Sequence, residues 1–129
     1  MMTSRRLCER LGISYRQLDY ACRLGLIHDT ATGSGSRRHF DADTVARLTI
    51  AAQVKAAADR LFYDGMAWPT AVASVMNSPM PARRGYAVVI GHGLATFHDD
   101  ADLADLCGRH GAVLVVPYDV DAAPEAVAA

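Results

Sequence analysis

Residues 14–26, Ser-Tyr-Arg-Gln-Leu-Asp-Tyr-Ala-Cys-Arg-Leu-Gly-Leu, constrain the fold more than any other stretch of the chain. They predict a short helix with its start and stop written in. Ser14 is a good N-cap, because its side-chain oxygen can accept a bond from a first-turn backbone N–H. Gly25 suits the left-handed position that ends many helices. Leu18, Ala21, Cys22 and Leu24 can line one apolar side, while Arg16, Gln17, Asp19 and Arg23 lie elsewhere. The helix thus offers one apolar side for docking and presents arginine, glutamine and tyrosine outward. Arg and Gln are the side chains that make paired hydrogen bonds to base edges in the major groove.

The preceding residues supply a partner. Thr3 or Ser4 can cap a first helix through residues 5–11, with Leu7, Cys8 and Leu11 on one face and Gly12-Ile13 as the break. Two short helices joined by a tight Gly-containing turn form the helix-turn-helix unit, whose second helix enters the major groove. A helical hairpin that binds no nucleic acid is the competing reading of the same pattern.

Charge is distributed unevenly. Residues 1–60 carry ten Lys/Arg against six Asp/Glu, and residues 61–129 carry three against eight. The excess in the first half is mostly arginine, which favours planar, bidentate recognition of phosphates and bases. This asymmetry points to nucleic acid as a partner of the first half alone, and leaves the acidic half as a possible docking surface for another protein.

After Gly25 come Leu26-Ile27, which could begin a strand, and then residues 28–36, a polar loop rich in turn formers. Arg37-Arg38-His39-Phe40 follow. Strand, flexible tip and returning strand together predict a wing, whose Arg37 and Arg38 could reach the phosphate backbone. Asp41 or Asp43 then caps a longer helix from about residue 42 to 63. Val45 and Leu48 can face the first two helices, while Ile50, Val54, Ala57 and Leu61 form a second stripe. Two stripes imply two partners, the second being either another protomer, which is slightly favoured, or the C-terminal half folding back.

The stretch from Leu7 to about Leu48 resembles the MerR-type winged helix-turn-helix. The matching features are Arg-Leu-Gly-Ile-Ser at 10–14, Tyr20, Arg23, Gly25-Leu26-Ile27, Gly-Ser-Arg-Arg-His-Phe at 35–40 and the helix opening at 43–48. Tyr-Arg-Gln-Leu-Asp-Tyr at 15–20 looks like the variant of small actinobacterial and phage members. The resemblance covers about a third of the chain. It implies a DNA-binding regulator that works as a homodimer on double-stranded DNA at a pseudo-palindromic site. It would place Ser14, Tyr15, Arg16, Tyr20 and Arg23 at the DNA, with Arg37 and Arg38 from the wing. Gln17 joins Tyr15, Arg16 and Arg23 as an expected groove contact, and Leu18, Cys22, Leu26 and Phe40 are expected to hold the motif together.

Two departures matter. Many family members carry arginine where this chain has Asp19. Phosphate would repel a carboxylate there, so Asp19 must read a cytosine amino group, orient a neighbouring arginine or point away. Neither of the family's sensing patterns, an effector domain or a short metal-binding loop, is visible after the long helix, so no inducer-sensing mechanism is expected.

In the second half, Gly65 ends the long helix and Trp68-Pro69 opens a short one through Met76, proline being well placed in a first turn. Residues 77–81 form a stiff stop. Residues 86–90 and 94–98 predict strands around a Gly91-His92-Gly93 turn, and Asp99 or Asp100 caps a helix through residues 103–107 that Gly108 to Gly111 stop. Residues 112–118, strongly apolar, predict a third and central strand. The expected class is α+β: a winged helix-turn-helix domain with its long helix over residues 1–64, a short helix and linker over 65–81, a small strand-strand-helix-strand module over 82–120, and a flexible tail over 121–129.

Catalysis and metal binding find little support. Turn chemistry alone explains Gly91-His92-Gly93. Cys107 and His110 could approach one metal, but no second closely spaced ligand pair accompanies them. A Cys–His nucleophile lacks an orienting residue and an oxyanion hole. The expectation is a non-enzyme with no cofactor and no metal. Cys8, Cys22 and Cys107 form no CxxC pair, and with no signal peptide and no apolar run of membrane-spanning length they predict a cytoplasmic protein with reduced thiols. The functions consistent with these features are a transcriptional regulator, an excisionase that binds repeated sites, or a protein-interaction module.

Overall fold

The computed structural model describes residues 1–27, 38–61, 66–90, 93–97, 100–110 and 114–122. The fold is α+β. Among the described residues there are five helices and two small antiparallel sheets. None of these helices is long and apolar enough to cross a membrane.

β1 (Met2–Thr3) leads into α1 (Ser4–Leu11) and α2 (Tyr15–Arg23). Thr3 Oγ1 accepts from the N–H of Arg6, and Gly12 (φ +68°) closes α1 in the left-handed region. Ser14 starts α2 through a reciprocal cap. Its Oγ accepts from the N–H of Gln17 at 3.1 Å, and Gln17 Oε1 accepts from the N–H of Ser14 at 3.0 Å. The other end is closed by Gly25 (φ +76°). There the Leu26 N–H reaches the Ala21 carbonyl and the Gly25 N–H reaches that of Cys22, the Schellman pattern. The expected apolar side holds at Leu18 and Ala21 but not at Leu24, the C-cap residue, which is 50% exposed.

The returning strand exists, but its partner is not the expected one. β2 (His39–Phe40) pairs antiparallel with β1, Met2 facing Phe40. Leu26 and Ile27 form no strand. The N-terminal residues, too short a stretch to read as a strand, take the hydrogen bonds that the wing reading assigned to them. Residues 28–37, the expected wing tip with Arg37, lie outside the described residues.

α3 (Ala42–Leu61) starts and ends close to its expected bounds. Asp41 Oδ1 accepts from the N–H of Thr44 at 2.8 Å. That backbone hydrogen bond, with the Thr44 hydroxyl second, holds the Asp41 carboxyl below its ordinary pKa. A depressed carboxylate pKa adds stability above the unfolded value of about 4, and the gain disappears as pH falls through the folded value. Asp41→Ala is therefore expected to cost about 0.5–2 kcal/mol at neutral pH. Urea midpoints of the two proteins should converge as the buffer is taken down towards about pH 3. A gap that stays constant over that range would exclude the charged cap.

α3 is buried nearly all round, and this settles its second stripe. Ile50, Val54 and Ala57 are covered by the chain's own α4 (Trp68–Met76) and β5 (Leu114–Asp119), while Leu61 is 65% exposed. The C-terminal half folds back onto the stripe, and the slight preference for a second protomer there is corrected.

β3 (Arg84–Ile90), β4 (Gly93–Phe97) and β5 form the second sheet in the order β4-β3-β5. The central strand is β3 and not β5, although β5 is strongly apolar. A run of apolar residues reports burial, whereas the order of strands depends on pairing. β3 pairs antiparallel with both neighbours, with Val88 opposite Ala95 on one side and Val115 on the other. Ala87 and Val89 point into the main core with Val116 and Tyr118, and Val88 is buried on the opposite side. α5 (Asp100–His110) connects the two edge strands and packs on β3. It runs through Gly108, which was expected to stop it; a Cβ there would meet nothing within 4 Å, so an exposed turn of helix simply continues.

One hydrophobic core joins the two halves, from Leu7 and Leu18 through Ile50 and Val54 to Val75 and Tyr118. Polar ties reinforce it. Arg47 Nη1 donates to the carbonyls of Val75 (2.6 Å) and Ser78 (2.8 Å), fixing the expected linker to α3. Arg10 Nη2 donates to the Val120 carbonyl at 2.7 Å. Asp121, assigned to the flexible tail, is held by Arg83 through two hydrogen bonds. Residues 123–129 lie outside the described residues.

Candidate nucleic-acid interface

α2 buries Leu18 and Ala21 and turns Tyr15, Arg16, Tyr20 and Arg23 outward. Tyr15 is 59% and Tyr20 52% exposed, a large apolar and hydrogen-bonding area to leave in water on nine residues of helix. The rear of the helix is braced by the C-terminal half, since Trp68, buried on α4, donates its indole N–H to the Gln17 carbonyl at 3.0 Å. Capped at both ends and braced behind, α2 presents its outward side chains from a fixed backbone.

Asp19 lies at the centre of that surface. Arg23 Nε lies 2.8 Å from its Oδ2, and Arg38 Nη1 donates to its Oδ1 at 2.7 Å. Of the three roles open to this carboxylate, the structure shows the second: it orients arginines. Arg23 lies one turn along the same helix, a spacing at which opposite charges meet. Arg38 immediately precedes β2, so the bond ties the end of the expected wing to α2. The side chains of Asp19 and Arg38 are only 20% and 25% exposed, so this pair is better shielded than the outlying Arg5–Glu9 pair at 89% and 67%. Its hydrogen bond to Asp19 raises the pKa of the Arg38 guanidinium above the ordinary value. With both oxygens engaged, the three residues together carry one net positive charge.

The expected site residues therefore divide. Tyr15, Arg16, Tyr20 and Arg23 share the exposed face, and Arg38 is brought beside them through Asp19. Ser14 and Gln17 are occupied with each other at the cap. Gln17 holds its Oε1 on the Ser14 N–H and in this conformation does not extend as a groove reader. Ser-x-x-Gln is the capping-box spacing, so the sequence carried that signal. Arg37 lies outside the described residues. Leu18 and Phe40 are fully buried and Cys22 and Leu26 pack partly buried against the core, as their supporting role requires.

Gly91, His92 and His98, and the side chains of Cys107 and His110, lie outside the described residues. Among the described residues, no group of three or more His, Cys, Asp or Glu is placed to hold a metal ion. No protein-family model matches this chain, and no curated protein is significantly similar to it.

Proposed function

We propose that this chain is a sequence-specific DNA-binding protein of the MerR-like winged helix-turn-helix type, acting in transcriptional regulation in the cytoplasm. The observation that carries the reading is the exposed face of α2, where Tyr15, Arg16, Tyr20 and Arg23 surround a carboxylate already neutralised by Arg23 and Arg38. In this reading α2 enters the major groove. Arg16 and Tyr15 reach base edges, and Arg38, at the end of the wing, meets the phosphate backbone. Asp19 sets the angle of both clamped arginines and reads no base itself.

Arg16→Ala is expected to cost about 1–3 kcal/mol at one base position and to relax specificity there. Arg38→Ala should weaken all sequences alike and reduce the salt slope by about one. Binding isotherms on a selected site and on random DNA test both. Equal losses on the two DNAs for both variants would contradict the division of labour.

A second reading, an excisionase that binds repeated sites and bends DNA for a recombinase, gains from one observation. The stripe of α3 that could have served a dimer is covered by the chain's own α4 and β5. A homodimer would need another surface, and a monomer suits tandem sites. One palindromic footprint favours the regulator, and tandem cooperative footprints favour the excisionase.

A further inference from the structure

A cavity of about 330 Å³ opens between β1, α1, the start of α3 and the residues after β5. Its apolar surface comes from Met1, Met2 and the edge of Val45, with the buried Phe40 and Val120 beneath, and Arg6, Arg10 and Arg83 also line it. Arg6 and Arg10 lie one turn apart on α1 and reach the same cavity, while Leu7 and Leu11 bury the other side of the helix. Arg10 spends one N–H on the Val120 carbonyl, which fixes it at the wall, and a guanidinium has five. Arg83 is paired with Asp121, so its charge is balanced. The Arg6 backbone N–H caps α1 on Thr3, and among the described residues its guanidinium makes no hydrogen bond or ion pair. The cavity therefore combines an apolar surface with the positive charges of Arg6 and Arg10; no carboxylate lines it, and Asp121, paired with Arg83 beside it, also attracts Arg10. No residue of α2 lines it.

We propose that this cavity is a binding site for a small amphipathic organic anion, with a carboxylate held by Arg6 and Arg10 and an aliphatic or aromatic body on Met1, Met2 and Val45, above the buried Phe40 and Val120. Ligand pockets run from about 300 Å³ upward and combine an apolar lining with a few placed polar groups. At about 30 Å³ for each water-sized group, the volume admits roughly ten non-hydrogen atoms. A free inorganic anion would leave the apolar surface wet, and an uncharged body would leave the arginines unanswered, so both features are needed in one ligand. The site is separate from the α2 face, and its existence does not depend on DNA binding.

The test is titration of the uniformly ¹⁵N-labelled full chain with octanoate, and with octanamide as an uncharged match, followed by amide shifts in the absence of DNA. Octanoate should saturate and move the amides of Phe40, Val45 and Val120, with octanamide at least about tenfold weaker, the loss expected when a charge-assisted bond is removed. Arg6→Gln should weaken octanoate by a similar factor. So should Ala42→Glu, which sets a carboxylate at the exposed mouth, in the acid-favouring first turn of α3. A spectrum as dispersed as that of the parent shows that each variant is folded. Equal binding of the amide, wild-type affinity in Arg6→Gln, or no saturable shift at these amides overturns the proposal.

Discussion

Phe40→Ala is expected to lower the free energy of unfolding by about 3–5 kcal/mol, the largest loss from any single substitution considered for this chain. Phe40 is the largest of the fully buried side chains and sits in the core with Leu7, Leu18 and Leu48. It also occupies a two-residue strand that pairs, among the described residues, with Met2–Thr3, so a short ladder keeps β2 in place once the ring is gone. For a chain of this size the loss corresponds to a fall in melting temperature of roughly 10–20 °C. The effect should extend to Arg38, two residues before the ring, and so to the Asp19 clamp on α2. Thermal melts and urea titrations measure the first effect. A cost below about 1 kcal/mol would mean that β2 is not anchored in the core.

Gln53→Leu should cost about 2–4 kcal/mol although the side chain keeps nearly the same size. Gln53 is 5% exposed, and it faces the end of β5. Its Nε2 donates to the Asp119 carbonyl at 2.8 Å, and its Oε1 accepts from the Asp119 N–H at 3.0 Å. The amide thus pairs with the backbone of an edge strand as another strand would. Leucine supplies no replacement, and both backbone groups of Asp119 are left without that partner. Because the bond pair joins α3 to β5, the loss should also show as faster amide exchange at Tyr118 and Asp119. A neutral substitution with unchanged exchange would contradict this role for Gln53.

The sequence announces what is local. The caps of α2 at Ser14 and Gly25, the proline-led start of α4 and the bounds of α3 all follow from residues a few positions apart, and each is legible. Gln17 is the instructive case, because the same side chain suits a groove contact and a capping box, and the nearer partner wins. Leu24 fits the helical period but falls one residue past the last turn. What the sequence hides is long-range. β1 is too short to announce itself, so the partner of β2 cannot be inferred. The cover on the second stripe of α3 comes from residues more than a dozen positions away. Strand order in the second sheet depends on pairing, which the apolar run of β5 does not encode. Asp19 could be narrowed to three roles by charge alone, and only the placement of Arg38 selects one. The cavity draws on positions 6, 10, 40, 45, 83 and 120, and no local motif contains it.

The claim at the centre of this account is that the outward face of α2 reads DNA. Its most direct test is binding to genomic fragments flanking the protein's own gene, titrated at two salt concentrations with random DNA as competitor. Tight binding that survives the competitor and falls steeply with salt is the predicted result, because phosphate contacts release counterions while base contacts discriminate. An absence of binding even at low salt would contradict the account, leaving the α1–α2 pair as a scaffold or a protein-binding surface.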